Sequence, residues 1–568
     1  MNKPIIEFKD YSFKYHSQVD YTLHNIDLTI FKGEKILIIG SSGSGKSTLG
    51  NCINGLIPNS YKGEVKGELF IAGHDTKNLN IFEVSKEVGT VLQDSDGQFV
   101  GLSVAEDIAF ALENDNVAQD QMRSRVKEVS KLVNMDALLN NNPYELSGGQ
   151  KQRVSLAGVM VEDAQILLFD EPLANLDPKT GKVAIELIDQ IHNEDNTIVI
   201  IEHRLEDVLY KSIDRIILMN DGRIIIDDKP EVVLSSDLLI KYGIREPLYV
   251  SACRYANIDI KQEMHPENIE LFDLGSEQAK LQSWFLKHNS ELKPSNEDTL
   301  LEIKDLSFSY DGVRPILDKI NVQIKKGEML SLVGKNGAGK STLAKIIVGF
   351  EKPDSGDILL NGKSILKLSI KETAERVGIV LQNPNQMISK NLIFDEIAYG
   401  LRIRNIDEET INQKVTEVMK VCGLSPFKKW PISALSYGQK KRVTIASILV
   451  LNPEILILDE PTAGQDYKHY SEIMEFLKTL NDNGQTIILI THDMHLMLEY
   501  TYRAVVLSDG TKIADKPSYE VLSDDDIIDK ANLKRTSLYD LAVKSNIDEP
   551  LRFIESFINY ERSSSNED

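Results

Sequence analysis

Hydrophobic positions along the chain follow a pattern that occurs twice. Near-continuous apolar runs, Lys35-Ile36-Leu37-Ile38-Ile39, Ile166-Leu167-Leu168-Phe169 and Thr197-Ile198-Val199-Ile200-Ile201, predict strands buried on both faces, as in a parallel sheet. Runs of the same kind return at Ile455-Leu456-Ile457-Leu458 and Thr486-Ile487-Ile488-Leu489-Ile490. Weaker alternation in Ile6–Tyr15 and Leu301–Tyr310 predicts half-buried strands. The segments Gly67–Gly73 and Gly356–Gly362 read as strands ending in tight turns. Helical periodicity dominates from Ser103 to Leu139 and from Asp395 to Cys422. Strands that alternate with helices make the fold class α/β.

The pattern is a tandem repeat. Gly40-Ser41-Ser42-Gly43-Ser44-Gly45-Lys46-Ser47-Thr48 fits G-x-x-x-x-G-K-[ST], and so does Gly334-Lys335-Asn336-Gly337-Ala338-Gly339-Lys340-Ser341-Thr342. Lys46 and Lys340 are 294 residues apart. Gln93 and Gln382, Ser147 and Ser436, Asp170 and Asp459, and His203 and His492 are each 289 apart, so two copies of one domain follow each other with a net loss of about five residues. The expected boundaries are residues 1–250 for the first domain, 251–297 for a linker with one helix around Ser276 to Leu286, 298–545 for the second domain, and 546–568 for a polar-ended tail.

Each glycine-rich loop lies between a buried strand and a helix, which is the context of a phosphate cradle. Its glycines let backbone N–H groups curl around phosphate oxygens, the lysine adds a full charge, and Ser47 is placed to hold magnesium. With 42% hydrophobic and 27% charged residues the 568-residue chain reads as globular, and no apolar run approaches the length of a membrane span. The first residues show no secretory pattern, which leads to an expectation of a cytosolic chain. Three distant cysteines, Cys52, Cys253 and Cys422, argue against a disulfide framework or a zinc cluster. A net charge of −23 disfavours nucleic acid as a partner.

The decisive stretch is Leu146-Ser147-Gly148-Gly149-Gln150, 101 residues after Lys46 and just ahead of the strand that ends in Asp170-Glu171. In register with two P-loops and two Asp-Glu strand ends, it resembles the signature of ATP-binding cassette (ABC) ATPases of the transporter type. The resemblance covers nearly the whole chain, as two fused cassettes. It implies two P-loop NTPase domains, each with a mainly parallel core sheet, an antiparallel β subdomain and a helical subdomain.

The resemblance also implies roles. Cassettes of this family close head to tail, so one ATP would lie between Lys46 and Ser436 and another between Lys340 and Ser147. The signature residues Ser147, Gly148, Gly149 and Gln150, with Ser436, Gly438 and Gln439, would face the nucleotide. Asp170 and Asp459 match the aspartates that hold magnesium with Ser47 and Ser341, and Gln93 and Gln382 match the Q-loop glutamines that ligate it and sense a membrane partner. Glu171 and Glu460 match the general bases, and His203 and His492 the switch histidines that contact the γ-phosphate. Asp177 and Asp466 match the D-loop aspartates, and Tyr15 and Tyr310 would stack on adenine.

The second signature departs from the family pattern: it reads Leu435-Ser436-Tyr437-Gly438-Gln439, with tyrosine in a glycine's place. That side chain would either crowd the nucleotide or point into solvent, and the expectation is slower hydrolysis at the Lys46/Ser436 site. The stretches after Gln93 and Gln382 are similar to those of cobalt and energy-coupling-factor (ECF) importer ATPases, which implies a transmembrane coupling subunit, a substrate-binding membrane subunit, and a place at the inner face of the membrane. Phe99 and Met387, apolar in an otherwise polar loop, are expected to be exposed for docking. A soluble tandem ABC protein acting on ribosomes or DNA is the competing class, disfavoured by the short acidic linker.

Overall fold

The computed structural model describes residues 3–92, 96–174, 176–288, 298–462 and 465–564. Two compact units divide it, one comprising Met1–Trp284 with the short stretch Asp466–Lys468, the other comprising Phe285–Gln465 and His469–Asp568.

In the first unit a six-stranded sheet runs in the order Arg223–Asp228, Arg215–Asn220, Lys35–Gly40, Thr197–Ile201, Ile166–Asp170, Val88–Val91. All its pairings are parallel except that between Arg223–Asp228 and Arg215–Asn220. A four-stranded antiparallel sheet, Leu23–Phe31, Pro4–Tyr15, Gly63–Ile71 and His74–Asp75, lies in the same unit. The second unit repeats both sheets, with Met329–Gly334, Thr486–Ile490 and Ile455–Asp459 in the parallel core.

The apolar runs are continuous because each strand is buried twice. Along Lys35–Gly40, Leu37 and Ile39 pack with the helices' Val154, Ile185 and Ile188, whereas Ile36 and Ile38 pack with Phe8, Phe13 and Ile26 of the antiparallel sheet. Alternating side chains therefore serve two cores, and a polar residue at any of these positions would fall inside one of them. At about 1.5–3 kcal/mol per buried Leu or Ile, the layering is what holds the carboxyl ends of the strands, and the loops after them, in place.

The helical stretch Ser103–Leu139 resolves into Val104–Asn114 and Gln119–Leu132, and Asp395–Cys422 into Ile393–Ile403 and Glu408–Val421. Two of the connecting regions are packed structure. The supposed linker begins inside a helix, Leu248–Tyr255, and continues as packed chain with Ile258, Ile260, Met264, Phe272 and Leu274 all buried. The Tyr249 hydroxyl donates to the Pro266 carbonyl at 2.7 Å. Only the helix Gln278–His288 lies where the sequence placed one; residues 289–297 are outside the described residues. The supposed tail is a helix, Pro550–Ser564, whose Phe553, Ile554, Phe557 and Ile558 are buried, spaced to form one apolar stripe.

Candidate functional site

Both P-loops have the same build. Each strand ends at a glycine that no other residue can replace: a Cβ on Gly40 would stand 2.3 Å from the Met219 carbonyl oxygen, and one on Gly334 2.0 Å from that of Leu507. The loop then turns through Gly43 (φ 77°) and Gly45 (φ 99°), or Gly337 and Gly339 in the second copy, into the helices Lys46–Ile53 and Lys340–Ile347. Lys46 Nζ donates to the carbonyls of Gly40 (2.8 Å) and Ser41 (2.9 Å), and Lys340 Nζ to those of Gly334 (2.7 Å) and Lys335 (3.0 Å). Burial lowers the pKa of Lys46, an effect opposed chiefly by Glu171. Ser42 and Ser47 are exposed on the first loop, Ser44 and Thr48 buried; Asn336 and Ser341 are exposed on the second, Ala338 buried.

Tyr15 and Tyr310 stand beside these loops. The Tyr15 hydroxyl lies 3.2 Å from Thr48 Oγ1, and that of Tyr310 3.5 Å from Thr342 Oγ1. Each ring meets a phenylalanine edge-on, Phe13 and Phe308 respectively.

The acidic strand ends follow. Asp170 and Asp459 are the last residues of their strands, and Glu171 (φ 50°) and Glu460 (φ 46°) turn into the left-handed region, a conformation costing about 1 kcal/mol for a residue with a Cβ. Their N–H groups donate to Ile201 (2.8 Å) and Ile490 (2.9 Å), which anchors each turn to the neighbouring strand. Burial raises the Asp170 pKa to about 6, against the pull of Lys46, and raises those of Glu171 and Asp459 as well. Asp170 Oδ1 is buried without a hydrogen-bond partner, and the Ser341 hydroxyl bonds the Asp459 carboxylate. An orphaned buried carboxylate oxygen and a Ser-Asp pair beside a phosphate cradle are donor sets that suit a hard divalent cation.

The signature residues begin helices in both copies, Gly148–Met160 and Tyr437–Leu449. Ser147 and Ser436 are exposed at the N-cap positions, and their N–H groups donate to Gln150 Oε1 (2.9 Å) and Gln439 Oε1 (3.0 Å). Gly149 is tight, since a Cβ there would meet Thr180 Cγ2 at 2.3 Å, and Gly438 is roomier. Asp177 is buried and caps the helix Pro178–Ile191 by accepting from Thr180 N–H at 2.9 Å. Asp466, also buried, immediately precedes the helix Tyr467–Asp482.

The Tyr437 ring is partly in solvent, 39% exposed, and its tip is held. Its hydroxyl donates to the Gln382 carbonyl at 3.1 Å, and one turn later Lys441 Nζ donates to the carbonyls of Leu381 and Gln382, both at 2.8 Å. The signature helix thereby grips the Q-loop of its own unit. Lys441 is buried, which lowers its pKa to about 8 against the pull of Asp459 and Glu460. The corresponding residues of the first unit are Gly148, with no side chain, and Gln152, which donates to the Pro172 carbonyl. Gln93 lies outside the described residues; Gln382 is exposed.

Phe99 is buried, contrary to expectation, because its ring packs edge-on against Tyr144, whose hydroxyl donates to the Phe99 carbonyl. Met387 is half-buried, its sulfur accepting from Leu381 N–H at 3.2 Å. Val100 (63% exposed) and Leu102 (83%) do reach solvent nearby.

His203 and His492 follow strands next to the acidic ones, with different partners. His492 Nδ1 stands 2.7 Å from Glu460 Oε1, and His203 Nδ1 stands 3.2 Å from Oε1 of its neighbour Glu202. Sequence reasoning passed over Glu202 and Lys441. Their one signal was a charge placed where periodicity calls for an apolar residue.

The sequence profile of the family described as ABC transporter matches residues 23–174 and 317–463. The chain belongs to this family. It is a tandem ABC ATPase with two cassettes in one polypeptide, and it binds and hydrolyses ATP. A second profile, described as ATP-binding cassette cobalt transporter, matches residues 236–308 of this ABC ATPase, the region read as a linker. A Clostridium perfringens chain named as an ABC transporter ATP-binding protein is 59% identical over 565 residues, covering 99% of this chain and 100% of its own. A counterpart from Enterococcus faecalis is 54% identical, with 99% of each chain covered. Among solved structures, cbiO1 from Clostridium perfringens, described as part of the ABC transporter complex cbiONQ, is 37% identical over 42% of this chain and 95% of its own, with a TM-score of 0.39.

Proposed function

We propose that this ABC ATPase is the energising subunit of an ECF-type importer that takes up a vitamin or a metal ion. The observation that carries the reading is the duplication of a full residue set, P-loop, Asp-Glu pair, histidine and signature, on a chain in which, among the described residues, no helix is long and apolar enough to cross a membrane. Such a chain has the motor and would take its channel from elsewhere. The match of residues 236–308 to a family described as a cobalt transporter cassette supports the importer class.

The two cassettes pair head to tail within one chain, at high effective concentration, so that Lys46 works with Ser436 and Lys340 with Ser147. The P-loop amides and lysine hold the phosphates, the tyrosines hold adenine, and the signature helix brings its N-terminal dipole and serine hydroxyl to the γ-phosphate. Bound magnesium neutralises charge on the β- and γ-phosphates; Ser47, Gln93 and Asp170 would hold it at one site and Ser341, Gln382 and Asp459 at the other. Glu171 and Glu460 take the proton of the attacking water, a task that suits the raised pKa of the half-buried Glu171. His203 and His492 contact the γ-phosphate, and Asp177 and Asp466 relay between the sites.

The Lys46/Ser436 site hydrolyses more slowly, because its signature helix is tethered through Tyr437 and Lys441 to a Q-loop. Single-turnover rates test this: Glu460→Gln costs more than Glu171→Gln, and equal losses refute the asymmetry. The coupling subunit docks at the inner face of the membrane on the surface that includes Val100 and Leu102, and a separate membrane protein selects the cargo. Purification from detergent-solubilised membranes tests the assignment: two co-purifying integral membrane proteins support it, and co-purifying ribosomes or nucleic acid refute it.

A further inference from the structure

The two histidines are held by different carboxylates, and the difference lies in one residue. Glu202 follows the strand Thr197–Ile201 and is completely buried. A buried carboxylate persists only where donors surround it. Here Oε1 accepts the N–H groups of His203 (2.8 Å) and Arg204 (3.2 Å), and Oε2 accepts that of Leu173 (3.1 Å). The Arg204 guanidinium returns to the Leu173 carbonyl at 3.1 Å. Leu173 is two residues beyond Glu171, so Glu202 ties the turn that carries the candidate base to the loop that carries the histidine. Its Oε1 also stands 3.2 Å from His203 Nδ1.

The second cassette has Thr491 at this position. Its hydroxyl accepts the Asp493 N–H at 2.9 Å, a local turn contact, and the ring of His492 is met by Glu460 itself. The second cassette therefore sets its histidine against the candidate base, whereas in the first a separate, buried carboxylate also stands beside the ring. We infer that Glu202 is a positioning residue of the first ATP site: it locks the loop that carries His203 to the turn after Glu171 and so sets where the histidine stands. The inference rests on the roles proposed above for Glu171 and His203.

The test uses the full-length chain carrying Glu460→Gln, so that single-turnover hydrolysis reports the site served by Glu171. Adding Glu202→Gln, which keeps the volume and an acceptor oxygen but not the charge, lowers the rate at least tenfold while the KM for ATP stays within twofold. Glu202→Thr, which installs the residue of the other cassette, does the same and guards against a folding artefact. In a chain that also carries His203→Ala, the Glu202→Gln loss shrinks below twofold, because a residue acting through the histidine has nothing left to act on. A Glu202→Gln chain as fast as its parent, or a loss of equal size with and without His203, overturns the inference. A His203→Ala chain as fast as its parent overturns the histidine's role itself, and the inference with it.

Discussion

Replacing Tyr437 by phenylalanine removes a single hydroxyl and should loosen the Q-loop of the second cassette without disturbing the rest of the protein. The hydroxyl donates to the Gln382 carbonyl at 3.1 Å from a ring that is 39% exposed, so the bond contributes an ordinary net stabilisation of about 1 kcal/mol. At 1.4 kcal/mol per factor of ten, this is about a fivefold rise in the population of the open loop. The amides that report it are Leu381, bonded to Met387 Sδ, and Met387 and Ile388, both bonded to the Pro384 carbonyl. Hydrogen exchange followed by mass spectrometry on a peptide spanning residues 381–388 should quicken about fivefold, with exchange in the parallel sheet unchanged. Lys441→Gln removes two bonds from a cation and should quicken the same amides more strongly, by more than tenfold, since each hydrogen bond to a charged group contributes about 1.5–3 kcal/mol. Unchanged exchange in both variants would refute the grip. So would a change spread evenly over the second unit.

Acid should weaken metal binding at the first site: Asp170, with its pKa raised by burial to about 6, must lose its proton before it can ligate, so Mn2+ affinity in an Asp459→Asn chain with nucleotide should fall about tenfold per pH unit below 6 and level off above it. Gly40→Ala forces a Cβ to 2.3 Å from the Met219 carbonyl oxygen, and binding of a fluorescent ATP analogue to that site should fall more than tenfold; unchanged binding would contradict the reading of the loop. Deleting residues 550–568 uncovers the sites that hold Phe553, Ile554, Phe557 and Ile558, a loss of at most about 6–12 kcal/mol by burial alone, so the truncated chain should melt well below the parent in calorimetry.

The elements nearest the nucleotide were the most legible in the sequence. Strands such as Lys35–Gly40 carry a strong periodic signal because both their faces are buried, and Gly40 and Gly334, which open the P-loops, have carbonyl neighbours too close to admit a side chain. Legibility fell wherever burial depends on partners distant in sequence. Phe99 looked like an exposed anchor because its cover, Tyr144, is 45 residues away. The packed stretch from Ile258 to Leu274 has no period, since its backbone turns too often to keep one. The closing helix Pro550–Ser564 does carry an amphipathic stripe, masked by the polar residues that follow it. Glu202 and Lys441 are polar residues inside apolar patterns, and only coordinates reveal that donors or acceptors surround them.

If one chain carries two ATP sites that hydrolyse through Glu171 and Glu460, removing both carboxylates should silence it. The most direct measurement is ATP turnover by the Glu171→Gln/Glu460→Gln double variant alongside its nucleotide binding. Turnover should fall at least a hundredfold with ATP still bound at two equivalents per chain. Turnover within a few-fold of the parent would contradict it.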